Sequence, residues 1–175
     1  GRANAIRILA RLLYRLQQEL PAEIASLKGG NKRNAIAREA TAILALDGAK
    51  EGALKELVAR IEAETKQAIG AFDPGLAITV APVDLPAQVM EAKDARTVVS
   101  TLFTMLHGVV AMSPDIPGLV QTSTNLGVLD TENGAVTFTM LHRSSIDSSK
   151  MTLVDRVSAH CELAGFEVEH VGGYP

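Results

Sequence analysis

A chain of 175 residues, 47% of them hydrophobic, has the length and apolar content for one large domain or two small ones sharing a core, and is too apolar for global disorder. A formal charge of −3 excludes the basic excess of a dedicated nucleic-acid binder, and no apolar run approaches the ~20 residues of a membrane helix. The single cysteine, Cys161, excludes an internal disulfide and fits a reducing cytoplasm; no signal-peptide pattern is visible.

The first predicted helix carries Ile6, Leu9, Leu13, Leu16 and Leu20 at helical period, has no obvious cap before Ile6, and is stopped by Pro21. A short strand at about 22–28 meets the turn Lys28-Gly29-Gly30-Asn31, and a second strand runs to about Leu46. Asp47 can cap the next helix, whose stripe is Leu54, Leu57, Val58, Ile61 and Ile69, with Gly70 at its end. Leu76, Ile78 and Val80 then alternate as a strand. Ala95, Val98, Val99, Leu102 and Leu106 form a helix stripe ending near Gly108, and a loop with Pro114 and Pro117 leads to a strand at about 119–130. Asn133-Gly134 is a hairpin turn, after which Val136, Phe138 and Met140 alternate. Asp147 or Ser148 can cap a last helix with Val154, Val157 and Cys161 inward and Gly165 at its end, and Phe166 and Val168 begin a final strand.

Each half thus reads helix, strand, strand, helix, strand, over about 1–83 and about 92–171. The predicted class is α+β: antiparallel sheet with helices packed on one face, in two pseudo-symmetric α-β-β-α-β halves. Joining two such sheets edge to edge would remove an exposed edge. Both ends read as cut, since the chain starts inside an amphipathic pattern and stops at the turn Gly172-Gly173-Tyr174-Pro175. The whole of 1–175 is therefore expected to be one domain taken from a longer polypeptide.

Few residues suggest chemistry. His107, His142, His160 and His170 are dispersed, with no i, i+4 pair and no Cys pair, so no metal site is expected. His142, Ser144, Ser145 and Asp147 crowd together like a triad, but lack a nucleophile elbow and suit a helix start, so no catalytic residue is expected. The basic turn from Lys28 to Arg33 matches neither phosphate-loop nor dinucleotide fingerprints, and Phe103, Phe138 and Phe166 fall at positions suited to the core rather than to a base-stacking platform. Cys161, on an apolar stripe, reads as a buried structural thiol.

Asn34 and Arg143 are harder to dismiss. Asn34 stands where the Gly-Gly turn re-enters a strand. Simple register from a two-residue Asn133-Gly134 turn sets Arg143 opposite Thr124, on the face of Thr122. There a guanidinium could grip a carboxylate with two parallel hydrogen bonds, or it could form a surface ion pair with Asp147. The residues alone leave both readings open.

Three stretches carry a resemblance: Gly29-Gly30-Asn31-Lys32-Arg33-Asn34-Ala35-Ile36-Ala37-Arg38-Glu39-Ala40, Leu119-Val120-Gln121-Thr122-Ser123-Thr124-Asn125-Leu126-Gly127-Val128 and Arg143-Ser144-Ser145-Ile146-Asp147-Ser148. With Gly1-Arg2-Ala3-Asn4-Ala5, Gly108-Val109-Val110-Ala111-Met112-Ser113, Ala164-Gly165 and the final turn, the chain resembles bacterial aminoacyl-histidine dipeptidases over nearly its whole length. One departure is Ala37, where the family usually has Pro. The resemblance implies a lid domain of a carnosinase-type metallopeptidase, inserted in a catalytic domain of the same polypeptide. That domain would hold two zinc ions and a general-base Glu, all before Gly1 or after Pro175. By motif, the family's lid residues for the substrate's C-terminal carboxylate and polar groups fall on Asn34 and Arg143. Implied partners are a dipeptide substrate and the catalytic domain, with a homodimer left open. The doubled element order resembles enlarged lids in which a second half mimics a partner subunit's lid. The competing expectations are the lid of a related aminoacylase or tripeptidase, and a free-standing α+β binding module.

Overall fold

The computed structural model describes residues 3–173. Gly1, Arg2, Tyr174 and Pro175, which open and close the resemblance, lie outside the described residues. The order is α1 (Ala5–Glu19), β1 (Glu23–Gly29), β2 (Ala40–Ala45), a 3-10 turn (Gly48–Lys50), α2 (Glu51–Ile69), α3 (Ala92–Thr104), β3 (Gly108–Met112), β4 (Val120–Glu132), β5 (Ala135–Ser144) and α4 (Asp147–Leu163). The fold is α+β as expected, with four helices and one antiparallel sheet of five strands, in which β1 pairs with β2 and β4, and β4 also with β3 and β5. None of the described helices is long and apolar enough to cross a membrane. Contacts divide the chain into two compact units, Gly1–Phe103 with Asn125–Leu141, and Thr104–Thr124 with His142–Pro175, so the boundary passes through β4 and β5.

In the first unit α1 does have a cap, contrary to expectation. Asn4 Oδ1 accepts from the backbone N–H of Ile6 (3.0 Å) and Arg7 (3.3 Å), and its Nδ2 donates to the Leu126 carbonyl at 2.8 Å. Ile6, Leu13 and Leu16 on α1 are buried with Ile24 and Leu27 of β1, Ile61 of α2, Val99 and Leu102 of α3, and Leu126 and Leu129 of β4. Ile24 and Leu27 are three residues apart yet both inward, because the β1–β2 register shifts between Ile24 and Ser26. On α2 the last inward position is Thr65 rather than Ile69, with its hydroxyl satisfied by the Ile61 carbonyl at 2.6 Å. Asp47 caps the 3-10 turn that leads into α2, accepting from Ala49 N–H at 2.9 Å. Phe103, expected in the core, is exposed on one side and stacks on Tyr14, with ring centroids 4.9 Å apart.

The strand predicted at Leu76–Val80 does not form. The Ile78 N–H, which a neighbouring strand would have to accept, goes to the Glu62 carboxylate of α2 at 2.6 Å. Period-two alternation reports a half-buried extended segment; it does not supply the hydrogen-bonded neighbour that makes a strand.

In the second unit Leu153, Val157 and Cys161 form the inward face of α4, Leu153 replacing the expected Val154. Asp147 and Ser148 do not cap this helix; Ile146 holds the cap position, and its N–H is taken by Ser144 Oγ at 3.1 Å. Gly165, at φ 82°, ends it as expected. The final strand at Phe166–Val168 is absent, since the Phe166 N–H turns back to the Cys161 carbonyl at 3.0 Å. Conversely β3 was not anticipated. It pairs antiparallel with β4 (Gly108↔Thr124, Val109↔Ser123, Met112↔Val120), and Val109, Val110 and Met112 are all exposed, leaving no alternation to read. Neither predicted half therefore ends in a strand, and the second has three strands between its helices.

Candidate functional site

Asn34 belongs to the first unit, on the segment between β1 and β2. Gly30 lies at φ 63°, and a Cβ there would fall 1.9 Å from the Gly127 carbonyl oxygen. A Cβ on Gly127 would fall 2.8 Å from the Arg33 Cα and from the carbonyl oxygens of Lys32 and Arg33. Residues 30–33 thus lie directly on the backbone of β4, an approach only glycine permits. Asn125 secures the next residues: its Nδ2 donates to the carbonyls of Arg33 (3.0 Å) and Ala35 (2.8 Å), bracketing Asn34. Ala37, at the family's Pro position, is buried and its carbonyl accepts from Ala5 N–H at 2.8 Å, so its segment is held without the ring. Asn34 itself is exposed, and its side chain makes no hydrogen bond among the described residues. The site is a solvent-facing amide on a fixed turn.

Arg143 belongs to the second unit, near the end of β5. The expected register is off by one residue. Thr124 Oγ1 meets His142 Nδ1 at 2.8 Å, and Thr122 Oγ1 meets Ser144 Oγ at 2.8 Å. In a strand neighbouring side chains point to opposite faces, so Arg143 faces away from Thr122 and Thr124. Between these pairs and the Asn133-Gly134 turn, β4 holds one residue more than β5, an extra residue that the simple hairpin count did not include. The turn itself is as expected, with Asn133 at φ 51° and Gly134 at φ 77°, the two left-handed residues of a type I′ hairpin. Arg143 is exposed and has no ion-pair partner among the described residues; Asp147, the expected alternative, is held by Lys150 at 3.0 Å.

The other candidate groups of this unit have partners of their own. His142, Ser144 and Asp147 do not form a triad: their partners are Thr124, Thr122 and Lys150. Burial, and then the charge of His170, holds His142 below the usual histidine range. His160 Nε2 meets Thr104 Oγ1 at 3.1 Å and His170 Nε2 meets Ser158 Oγ at 3.3 Å. Burial, and then the Glu162 charge, pushes the Cys161 thiol up, which suits a structural role and not a nucleophile. A shallow cavity of about 250 Å³ lies on the Thr122 side, under Ser148, Ser149 and Arg156, and is not lined by Arg143.

The contribution of Asn125 to the Asn34 turn was not readable from the sequence. The contact spans about ninety positions and leaves no local pattern.

Residues 1–72 match the family model described as "Peptidase dimerisation domain". Over all 175 residues the chain is 33% identical to the cytosol non-specific dipeptidase of Escherichia coli, covering 36% of that protein. Its structure matches the crystal structure of aminoacylhistidine dipeptidase from Vibrio alginolyticus with a TM-score of 0.97 and 34% identity, over 100% of this chain and 36% of that one. The chain therefore spans about a third of the length of these relatives; residues 1–72 are similar to peptidase dimerisation domains, and the whole chain is similar to the corresponding third of these two dipeptidases.

Proposed function

We propose that this chain is the lid of a zinc dipeptidase, closing over a dipeptide bound in a catalytic domain of the same polypeptide. Arg143 holds the substrate's C-terminal carboxylate and Asn34 a further polar group. The observation that carries this reading is the match over the entire chain to two dipeptidases, each nearly three times its length. The exposure of both side chains supports it, as does the lack of a competing ion pair at Arg143 among the described residues. A planar guanidinium can meet a carboxylate with two parallel hydrogen bonds, and an amide can donate to or accept from a peptide group. Xaa-His dipeptides are the proposed substrates, after the name of the structural relative.

The two zinc ions of this reading belong to the catalytic domain. No group of three or more His, Cys, Asp or Glu that could hold a metal ion converges among the described residues. Bound in its own domain, the metal would supply Lewis acidity and an activated water. This chain would bind the substrate's end, orient it, and exclude water on closure. Self-association through the region matched as a dimerisation domain, in the cytoplasm, completes the proposal. The test compares the full-length protein with this chain alone. Hydrolysis of Xaa-His dipeptides by the first, lost with chelator and restored by zinc, and none by the second, is expected. Turnover by the chain alone, or none of any dipeptide by the full-length protein, overturns the reading.

A further inference from the structure

We infer that Asn125 is the positioning residue for Asn34, fixing the turn that presents it by holding the carbonyls on either side. The inference rests on the substrate-contact reading of Asn34. Its physical basis is a chain of contacts within the first unit. The Asn125 Nδ2 donates to the Arg33 carbonyl at 3.0 Å and the Ala35 carbonyl at 2.8 Å, one residue before and one after Asn34. Only the amide nitrogen can face two carbonyl oxygens, so the orientation of this side chain is determined by its partners. Asn125 Oδ1 is buried and has no partner among the described residues, a cost the fold bears to keep the amino group where it is.

The clamp is referenced to the core. Asn125 precedes Leu126, which is fully buried and whose carbonyl accepts from Asn4 at the start of α1. Gly30 and Gly127 bring the turn and β4 into backbone contact, leaving Asn125 to govern the next three residues. An exposed turn with a short side chain is otherwise the kind of element that drifts, and a displacement of about 1 Å at a substrate contact can cost on the order of 100-fold in rate. Asn125 removes that freedom without touching substrate.

The experiment uses the full-length protein with Asn34→Ala, Asn125→Ala, the double variant, Asn125→Asp and Asn125→Gln. It measures dipeptide kinetics together with amide hydrogen exchange over residues 31–39. Asn125→Ala is expected to lower kcat/KM about tenfold, mainly through KM, from the loss of two hydrogen bonds. It should speed exchange at 31–39 and leave the core strands protected. On the Asn34→Ala background it should cost no further turnover, since both changes remove one contact. Asn125→Asp should be worse than Ala, because a carboxylate only accepts and would face two carbonyls. Asn125→Gln, which keeps the donor, should recover part of the loss, and serves the same comparison if Asn125→Ala does not fold. Equal losses on both backgrounds, or wild-type exchange at 31–39 in Asn125→Ala, overturn the inference. Unchanged turnover in Asn34→Ala refutes instead the contact assigned to Asn34, and the exchange data then judge the clamp alone.

Discussion

Thr124 Oγ1 and His142 Nδ1 lie 2.8 Å apart, one position earlier along β5 than the hairpin turn alone would set. This single pairing decides which way the end of β5 faces. His142 and Ser144 turn toward the threonines of β4, and Arg143 is released to the opposite side.

The same pairing makes His142 a reporter of acid stability. Its burial and the nearby His170 charge favour the neutral ring. Above about pH 6.5 the ring is neutral both folded and unfolded and contributes no pH dependence. Below that value the unfolded chain takes up a proton that the folded protein resists, so stability falls until folded His142 itself protonates. NMR titration should place the His142 midpoint below the ordinary histidine value, and His142→Gln should shrink the acid-side loss in Tm. A midpoint at or above that value contradicts the packing described.

The close approach of residues 30–33 to β4 can be tested at Gly127. A Cβ there would press on the backbone of Lys32 and Arg33, which cannot yield as a flexible side chain would. Gly127→Ala is expected to cost about 1–3 kcal/mol by overpacking. Denaturant unfolding measures it, and a change within about 0.5 kcal/mol, the range of ordinary surface substitutions, would show that the turn does not rest on β4.

Asn4→Ala removes two capping bonds to α1 and the bond from Asn4 Nδ2 to the Leu126 carbonyl. The cap alone is worth about 1 kcal/mol and the buried bond about as much again. A loss of about 2 kcal/mol in denaturant unfolding is expected. Asn4→Asp keeps the cap but not the donor to Leu126, and should recover about half.

Much of the fold was legible because local signals and tertiary demands agree. The stripe of Leu54, Leu57, Val58 and Ile61, the Asn133-Gly134 turn and the Gly165 stop all stand where pattern puts them. The failures share a cause. Leu76–Val80 and Phe166–Val168 have strand-like patterns without a strand partner, while Gly108–Met112 has a partner and no pattern. Pairing is settled by long-range neighbours that a window of residues does not contain. The candidate site divides in the same way. Asn34 and Arg143 stand out as polar residues beside turns, but the clamp from Asn125 and the pairing that turns Arg143 away from Thr122 and Thr124 are tertiary facts.

The proposed grip of Arg143 on the substrate's C-terminal carboxylate is tested by kcat/KM of the full-length protein and Arg143→Ala for a dipeptide and its C-terminal amide. Loss of a charge-assisted pair is worth about 1.5–3 kcal/mol, roughly 10- to 150-fold in kcat/KM. That loss is expected for the dipeptide, with a much smaller one for the amide, partial recovery in Arg143→Lys, and an unchanged Tm, since Arg143 is exposed and without an ion-pair partner among the described residues. Equal losses on both substrates, or a folded Arg143→Ala protein that hydrolyses the dipeptide at the wild-type rate, would contradict it.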